Sequence, residues 1–197
     1  MPRSRTIVTL GALLGAMTTG TFALLALETT PARPSAIAAL AAVQTPSPLE
    51  RSVAQAIAHT DLPVQAGKWT SIVVHDCAGG MRGLCAAGSH FYVDTAADAS
   101  GDGPLYPTLR WAEQAPGQHA FVPDERFNAG AIGICLAGDL AATAPTAAQM
   151  EALVALVGAL QRRLDIPAER VYLHGDLTGL SCPGPRFPVE AFRRSLR

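Results

Sequence analysis

No surplus of either charge runs through this chain. Fifteen basic and sixteen acidic side chains leave a formal charge of −1, and charged residues make up only 16% of the sequence. That balance excludes the electrostatic footprint of a nucleic-acid binder and a polybasic anchor for an anionic lipid surface. Cysteine is sparse as well. Four in 197 residues are too few to build a disulfide-held miniprotein, so each is read by itself. No internal repeat is present. What the chain does have is apolar content, 49%, enough for a buried core and too much for wholesale disorder. The length fits one domain with an appendage.

The appendage is N-terminal. Arg3 and Arg5 precede an uncharged stretch from Ile7 to Leu27, 21 residues long. At 1.5 Å per residue this matches a hydrocarbon core of about 30 Å. Residues 1–27 therefore read as a signal peptide or signal anchor. The stretch exceeds a usual signal core and no clean small-x-small site follows it, which favours an uncleaved or late-cleaved anchor. The remainder is expected outside the cytoplasm, periplasmic, envelope-bound or secreted, touching the membrane only through this segment. Residues 28–47, rich in Ala, Pro, Thr and Ser, read as a linker. Residues 48–197 read as one domain, expected to be monomeric.

Strand and helix patterns alternate along that domain. A first helix is predicted near Ser47, with Pro48 in its first turn, Leu49, Val53 and Ile57 on one face, and His59 at its end. Trp69–His75 is predicted as a buried strand, Ser89–Asp94 as a second, and Leu105–Trp111 as a third confined to an edge by Pro107. The wholly apolar Ala131–Ala137 is predicted as a central strand, Thr146–Leu164 as the longest helix, Arg170–His174 as a fifth strand and Val189–Leu196 as a closing helix. The fold class is α/β, a single domain with a central mixed sheet flanked by helices.

His75 and His174 fall at predicted strand ends, and Cys182 follows within HGDLTGLSCPGP. Two imidazoles and a thiolate form a three-ligand zinc set with a fourth position open, as hydrolytic zinc requires. Spacing alone favours the other reading, two satisfied strand-end histidines and Cys182 as a disulfide partner. The segments VVHDC, GSHFYVD, FNAGAIGICLAGDL, PTAAQMEALVALVGAL and LHGDLTGLSCPGPRFP, in this order, resemble the type-2 N-acetylmuramoyl-L-alanine amidase family, which includes the peptidoglycan recognition proteins. The most specific pieces run from Asn128 to Asp139 and from His174 to Gly184.

The resemblance implies Zn²⁺ on His75, His174 and Cys182. It also implies hydrolysis of the lactyl amide of peptidoglycan or muropeptides. His119 is a candidate catalytic or oxyanion contact, and Ser89, Asn128 and His119 are candidate substrate contacts. Asp176 is a candidate orienter of an imidazole or else a loop cap. His90 reads as a packed core histidine and Cys135 as a buried small hydrophobe. Cys77 and Cys85 are either a small disulfide loop, as in some relatives, or two free thiols.

The chain also departs from the family. Ser89 stands where active members carry a tyrosine, Leu180 where they carry lysine or threonine, and Cys135 where one branch carries a glutamate. Tyr92 is predicted on the face opposite Ser89. Only 13 residues separate His75 from Ser89, too few for the family's groove-wall helix. The alternative implied is a non-catalytic peptidoglycan-binding module that retains the metal site.

Overall fold

Ser47 is an efficient helix start because its hydroxyl accepts from Glu50 N while the Glu50 carboxylate accepts from Ser47 N. This reciprocal pair satisfies two otherwise orphaned donors, and Pro48 needs no partner at the first helical position. Helix α1 therefore spans Pro48–Ala58 and buries Val53, Ala56 and Ile57. Ser47→Ala should lower stability by about 1 kcal/mol, read as a shift in the denaturant midpoint at unchanged slope.

The structure is a computed structural model that describes residues 45–65, 67–77, 86–95, 104–120 and 122–197. The predicted leader and nearly all of the linker lie outside these residues, as does Cys85. Among the described residues, no helix is long and apolar enough to cross a membrane.

Strands β1 (Ser71–Cys77), β2 (Phe91–Val93), β3 (Leu105–Pro107), β4 (Ala131–Ala137) and β5 (Val171–Leu173) form one sheet in the order β3-β2-β4-β1-β5. β1 is parallel to β4 and β5, β2 is parallel to β4, and β3 is antiparallel to β2. All of β4 is buried, as expected of an inner parallel strand covered on both faces. One face carries Ile72, Val74, Phe91, Val93, Ile132, Ile134, Leu136, Val171 and Leu173 into a core shared with α1 and with α4 (Ala147–Leu164).

Helix α4 starts from Thr146 through a capping box with Gln149 and ends on Asp165 in the left-handed region. Leu153, Leu156 and Leu160 are fully buried, each contributing on the order of 2 kcal/mol. Gln149 was not legible as a core residue. Its buried amide donates to the Val93 and Ala137 carbonyls, stitching α4 to two strands at once.

Several predicted boundaries are corrected. β1 continues beyond His75, because Asp76 and Cys77 still pair with Leu136 and Ala137. The third strand stops at Pro107. The Thr108 hydroxyl and amide are taken by the Ser89 and His90 carbonyls, and Leu109–Ala112 coils into a short helix, α2, that buries Trp111. β5 stops at Leu173, and His174 opens a short helix, α5 (His174–Thr178), rather than ending a strand. The remaining helices are α3 (Arg126–Ala129) and α6 (Val189–Arg194). Pro46–Arg197 forms one compact unit.

Candidate active site

The sheet face opposite the α1–α4 core carries His75, Cys135 and Tyr92 as one row, since His75 pairs with Cys135 in β1–β4 and Cys135 with Tyr92 in β4–β2. Residues paired in register share a face. Tyr92 therefore lies on the face of His75, two strands away. Ser89, which the sequence places inside the strand, precedes it instead. Strand alternation between Ser89 and Tyr92 consequently does not apply.

His174 comes next after the last β1–β5 pair, Val74 with Leu173, so it stands beside His75 at the C-terminal ends of two parallel strands. Their ring centroids are 6.3 Å apart. The His119 ring stacks on His75 at 6.2 Å, with planes 14° apart, and meets His90 edge-on at 5.7 Å. Four imidazoles from four segments thus gather on one side of the sheet.

Each is held differently. His75 Nε2 is 2.7 Å from Ser89 Oγ, both groups buried. Ser89, expected as a substrate contact, is wholly shielded from solvent and bonded to His75. His90 is a satisfied core histidine: Nδ1 accepts from Gly133 N at 2.9 Å and Nε2 donates to Ala115 O at 2.9 Å. His119 sits on a loop clamped by Asn128. The Asn128 carboxamide oxygen accepts from His119 N and Ala120 N, and its amino group donates to Ala120 O. Asn128, expected to touch substrate, is therefore committed to this loop.

Two glycines give the His119 ring its space. A Cβ would lie 2.2 Å from the ring at Gly117 and 2.4 Å from it at Gly133. Asn128→Ala removes three hydrogen bonds at the clamp and should cost about 1–3 kcal/mol, measured by urea unfolding.

Burial keeps these rings neutral. It lowers His75 to about 3, with His119 and His174 adding repulsion, and lowers His90 to about 3 and His119 to about 4. His174 is lowered by burial too, against an opposing pull from Asp76. The His119 and His174 Nε2 atoms are buried without a hydrogen-bond partner.

Cys182 is a free thiol on the loop after α5. Its Sγ donates to Asp76 Oδ1 at 3.2 Å, and Asp76 Oδ2 accepts from Leu140 N at 3.1 Å. Burial, reinforced by the Asp76 carboxylate, pushes the thiol up to about 12. Cys135 is fully buried and its thiol is also raised by burial. Cys77 is disulfide-bonded; the expected partner, Cys85, lies outside the described residues.

Asp176 is the loop cap rather than an orienter of an imidazole. Its carboxylate accepts from Leu173 N at 2.8 Å and pairs with Arg193 at 2.9 Å. The carboxylate beside the candidate donors is Asp76, which the sequence reading missed although it follows His75 directly.

A family model described as N-acetylmuramoyl-L-alanine amidase matches residues 52–185, more than half of the chain. The chain belongs to this family. Among solved structures it is similar to the endolysin amidase LysCS from Clostridium intestinale. That alignment has 26% identity and a TM-score of 0.52, and it covers 66% of this chain and 85% of that one. The amidase AmiD from E. coli, in complex with anhydro-N-acetylmuramic acid-L-Ala-D-gamma-Glu-L-Lys, aligns at 22% identity and TM-score 0.55, over 68% of this chain and 60% of that one. AmpDh3 from Pseudomonas aeruginosa, bound to an anhydromuramic pentapeptide, gives 20% and 0.54, over 68% and 62%. The last two share the fold. No curated protein sequence matches significantly.

Among the described residues of this amidase-family chain, no three His, Cys, Asp or Glu side chains converge as a metal-holding group. His75, His174 and Cys182 are thus not drawn together as a finished ligand set. Their chemistry nonetheless suits zinc: two neutral imidazoles, a free thiol, and a buried His174 nitrogen with no protein partner.

Proposed function

We propose that this chain is a zinc amidase that hydrolyses the bond between the lactyl group of N-acetylmuramic acid and L-alanine, in peptidoglycan or in muropeptides. The observation carrying this reading is the group of three buried, neutral imidazoles, His75, His119 and His174, two with unpartnered nitrogens, in a chain of the amidase family. A buried polar nitrogen without a partner costs free energy, and such groups collect where a ligand will satisfy them. Similar structures of AmiD and AmpDh3 hold anhydromuramyl peptides, which supports the substrate class.

His75, His174 and Cys182 would hold the metal, which when bound polarises the scissile carbonyl and acidifies water. The chain's own residues supply the rest. Ser89 holds the His75 ring, and Asn128 with Gly117 and Gly133 holds His119. His119 Nδ1 faces the Gly88 carbonyl at 3.4 Å, which in the neutral ring puts the proton on Nδ1 and leaves the buried Nε2 as an acceptor, suited to take a proton from the attacking water.

An exported location goes with this substrate, with residues 1–27 as the leader. The disulfide at Cys77 suits an oxidising compartment.

A second reading, a binding module without turnover, is favoured by one observation: the donors do not converge. The replacements Ser89, Cys135 and Leu180 point the same way. The deciding experiment is release of free peptide from purified muropeptide by the full chain, with and without added zinc. Zinc-dependent release supports the enzyme. Tight muropeptide retention with no product supports the binder.

A further inference from the structure

We propose that the cleft between α1 and α4 is a second peptide site, which takes the free carboxylates of a peptidoglycan stem peptide; this deepens the peptidoglycan reading above and rests on it. The cleft is a cavity of about 340 Å³ lined by Ala54 and Ile57 of α1 and by Ala159, Arg162 and Arg163 of α4. That volume falls within the range of about 300–1,000 Å³ found for small-ligand sites, which combine an apolar lining with a few polar groups. Both helices pack on the sheet face that carries Ile72 and Val74, whereas His75 lies on the other. A peptide in the cleft therefore does not compete with one at the imidazoles.

The residue types decide the occupant. Ala54 and Ala159 offer methyl groups, and the buried Ile57 closes the floor. Arg162 and Arg163 are exposed, and among the described residues neither forms an ion pair. The Glu50 carboxylate, whose charge reaches Arg162, is taken by the capping pair with Ser47. Gly158 lets the Arg162 guanidinium lie close to the helix, since a Cβ there would sit 3.4 Å from Nη1. The dipole of α4 accounts for two cations in its last turn, but not for the apolar cleft that they flank.

A guanidinium pairs with a carboxylate through two parallel hydrogen bonds, so two of them beside an apolar floor suit an acidic peptide with short side chains. The peptide part of the AmiD ligand, L-Ala-D-gamma-Glu-L-Lys, has that chemistry. Its γ-linkage leaves one carboxylate free, its C-terminus is a second, and its alanine supplies a methyl group. Peptidoglycan repeats such peptides along a polymer, so a second contact strengthens attachment through effective concentration.

The test uses the full chain, the tripeptide L-Ala-D-γ-Glu-L-Lys, and the same tripeptide with both carboxylates amidated. Two variants alter the cleft at exposed positions: Arg162→Ala/Arg163→Ala removes the cations, and Ala54→Glu sets an anion beside them. Calorimetric titration should show an equivalent of tripeptide that both variants bind at least about tenfold more weakly, the scale of lost charge-assisted hydrogen bonds. His119→Ala should retain that equivalent, and the diamide should not occupy it. Retention on insoluble peptidoglycan should weaken in parallel, while hydrolysis of soluble muropeptide is unchanged.

Tripeptide binding equal in the parent and both variants overturns the proposal, as does a diamide that binds as well as the acid. So does a cleft that serves phosphatidylglycerol vesicles or a second copy of the chain, seen as vesicle binding or dimerisation lost in the variants with tripeptide binding intact. If the parent hydrolyses no muropeptide, the amidase reading fails, and the tripeptide titration still decides the cleft by itself. Should the double variant not fold, judged by circular dichroism, Ala54→Glu carries the test.

Discussion

Replacing His174 with alanine is expected to reduce kcat/KM for muropeptide hydrolysis by about a thousandfold or more and to strip the protein of stoichiometric zinc. A metal acting as Lewis acid contributes several kcal/mol of transition-state stabilisation, and about 4 kcal/mol corresponds to about three powers of ten. His174 suits this test better than His75, because it opens a short helix at the strand ends while His75 lies within the central sheet and is bonded to Ser89. The helix needs only the His174 backbone and Asp176, so circular dichroism should be unchanged. His119→Ala makes the contrast. It should keep the metal yet lose about 10²-fold in kcat, the scale of one lost proton-accepting group. Metal analysis and peptide release read both. A His174→Ala protein that retains zinc and works within tenfold of the parent would sink the assignment.

Acidification should unfold the metal-free domain abruptly between about pH 5 and pH 4, because buried neutral histidines must then take up protons. The folded values of His75, His90 and His119, about 3, 3 and 4, lie below the ordinary value of 6.5. Between those limits the unfolded chain binds protons that the folded chain refuses. Stability is therefore complete above about pH 6.5 and is lost as the pH falls towards the folded values. Each such histidine removes up to about 1.4 kcal/mol per pH unit, so three acting together remove about 8–13 kcal/mol within two or three units, comparable to a typical reserve of about 5–15 kcal/mol. The check is a fluorescence titration using Trp69 and Trp111, both buried. His90→Gln is expected to move the midpoint to lower pH, as long as the amide makes the bonds to Gly133 and Ala115. A midpoint below pH 3 would contradict the neutral-imidazole assignment.

Most elements were legible because local patterns were strong. The apolar run of β4 and the Thr146-capped periodicity of α4 matched to within a residue. Boundaries at turns were not, since they depend on partners far away in the sequence: Pro107–Thr108 changes course because Ser89 and His90 take its hydrogen bonds. The nearness of His75 to His174 and the packed role of His90 were legible, but the stacking of His119 on His75 was not. Ser89 and Asn128 looked like substrate contacts because a motif gives residue types without burial; their bonds to His75 and to the His119 loop only appear in three dimensions. Asp76 went unnoticed beside His75 because its partner, Cys182, is 106 positions away. The Gly133 in IGICLA gave a usable signal, a glycine inside a strand, which marks close approach by another group; that group is the His119 ring.

The two outer strands of the sheet are three residues each, and one of them finishes on a proline. A strand margin with free amides and carbonyls can recruit a stranger's backbone, and a short margin lacking one amide recruits it poorly. Such blunt borders discourage strand-to-strand association. Lengthening β5, or exchanging Pro107 for valine, should be felt first as intermolecular clumping on concentration, well before any change in how the molecule melts.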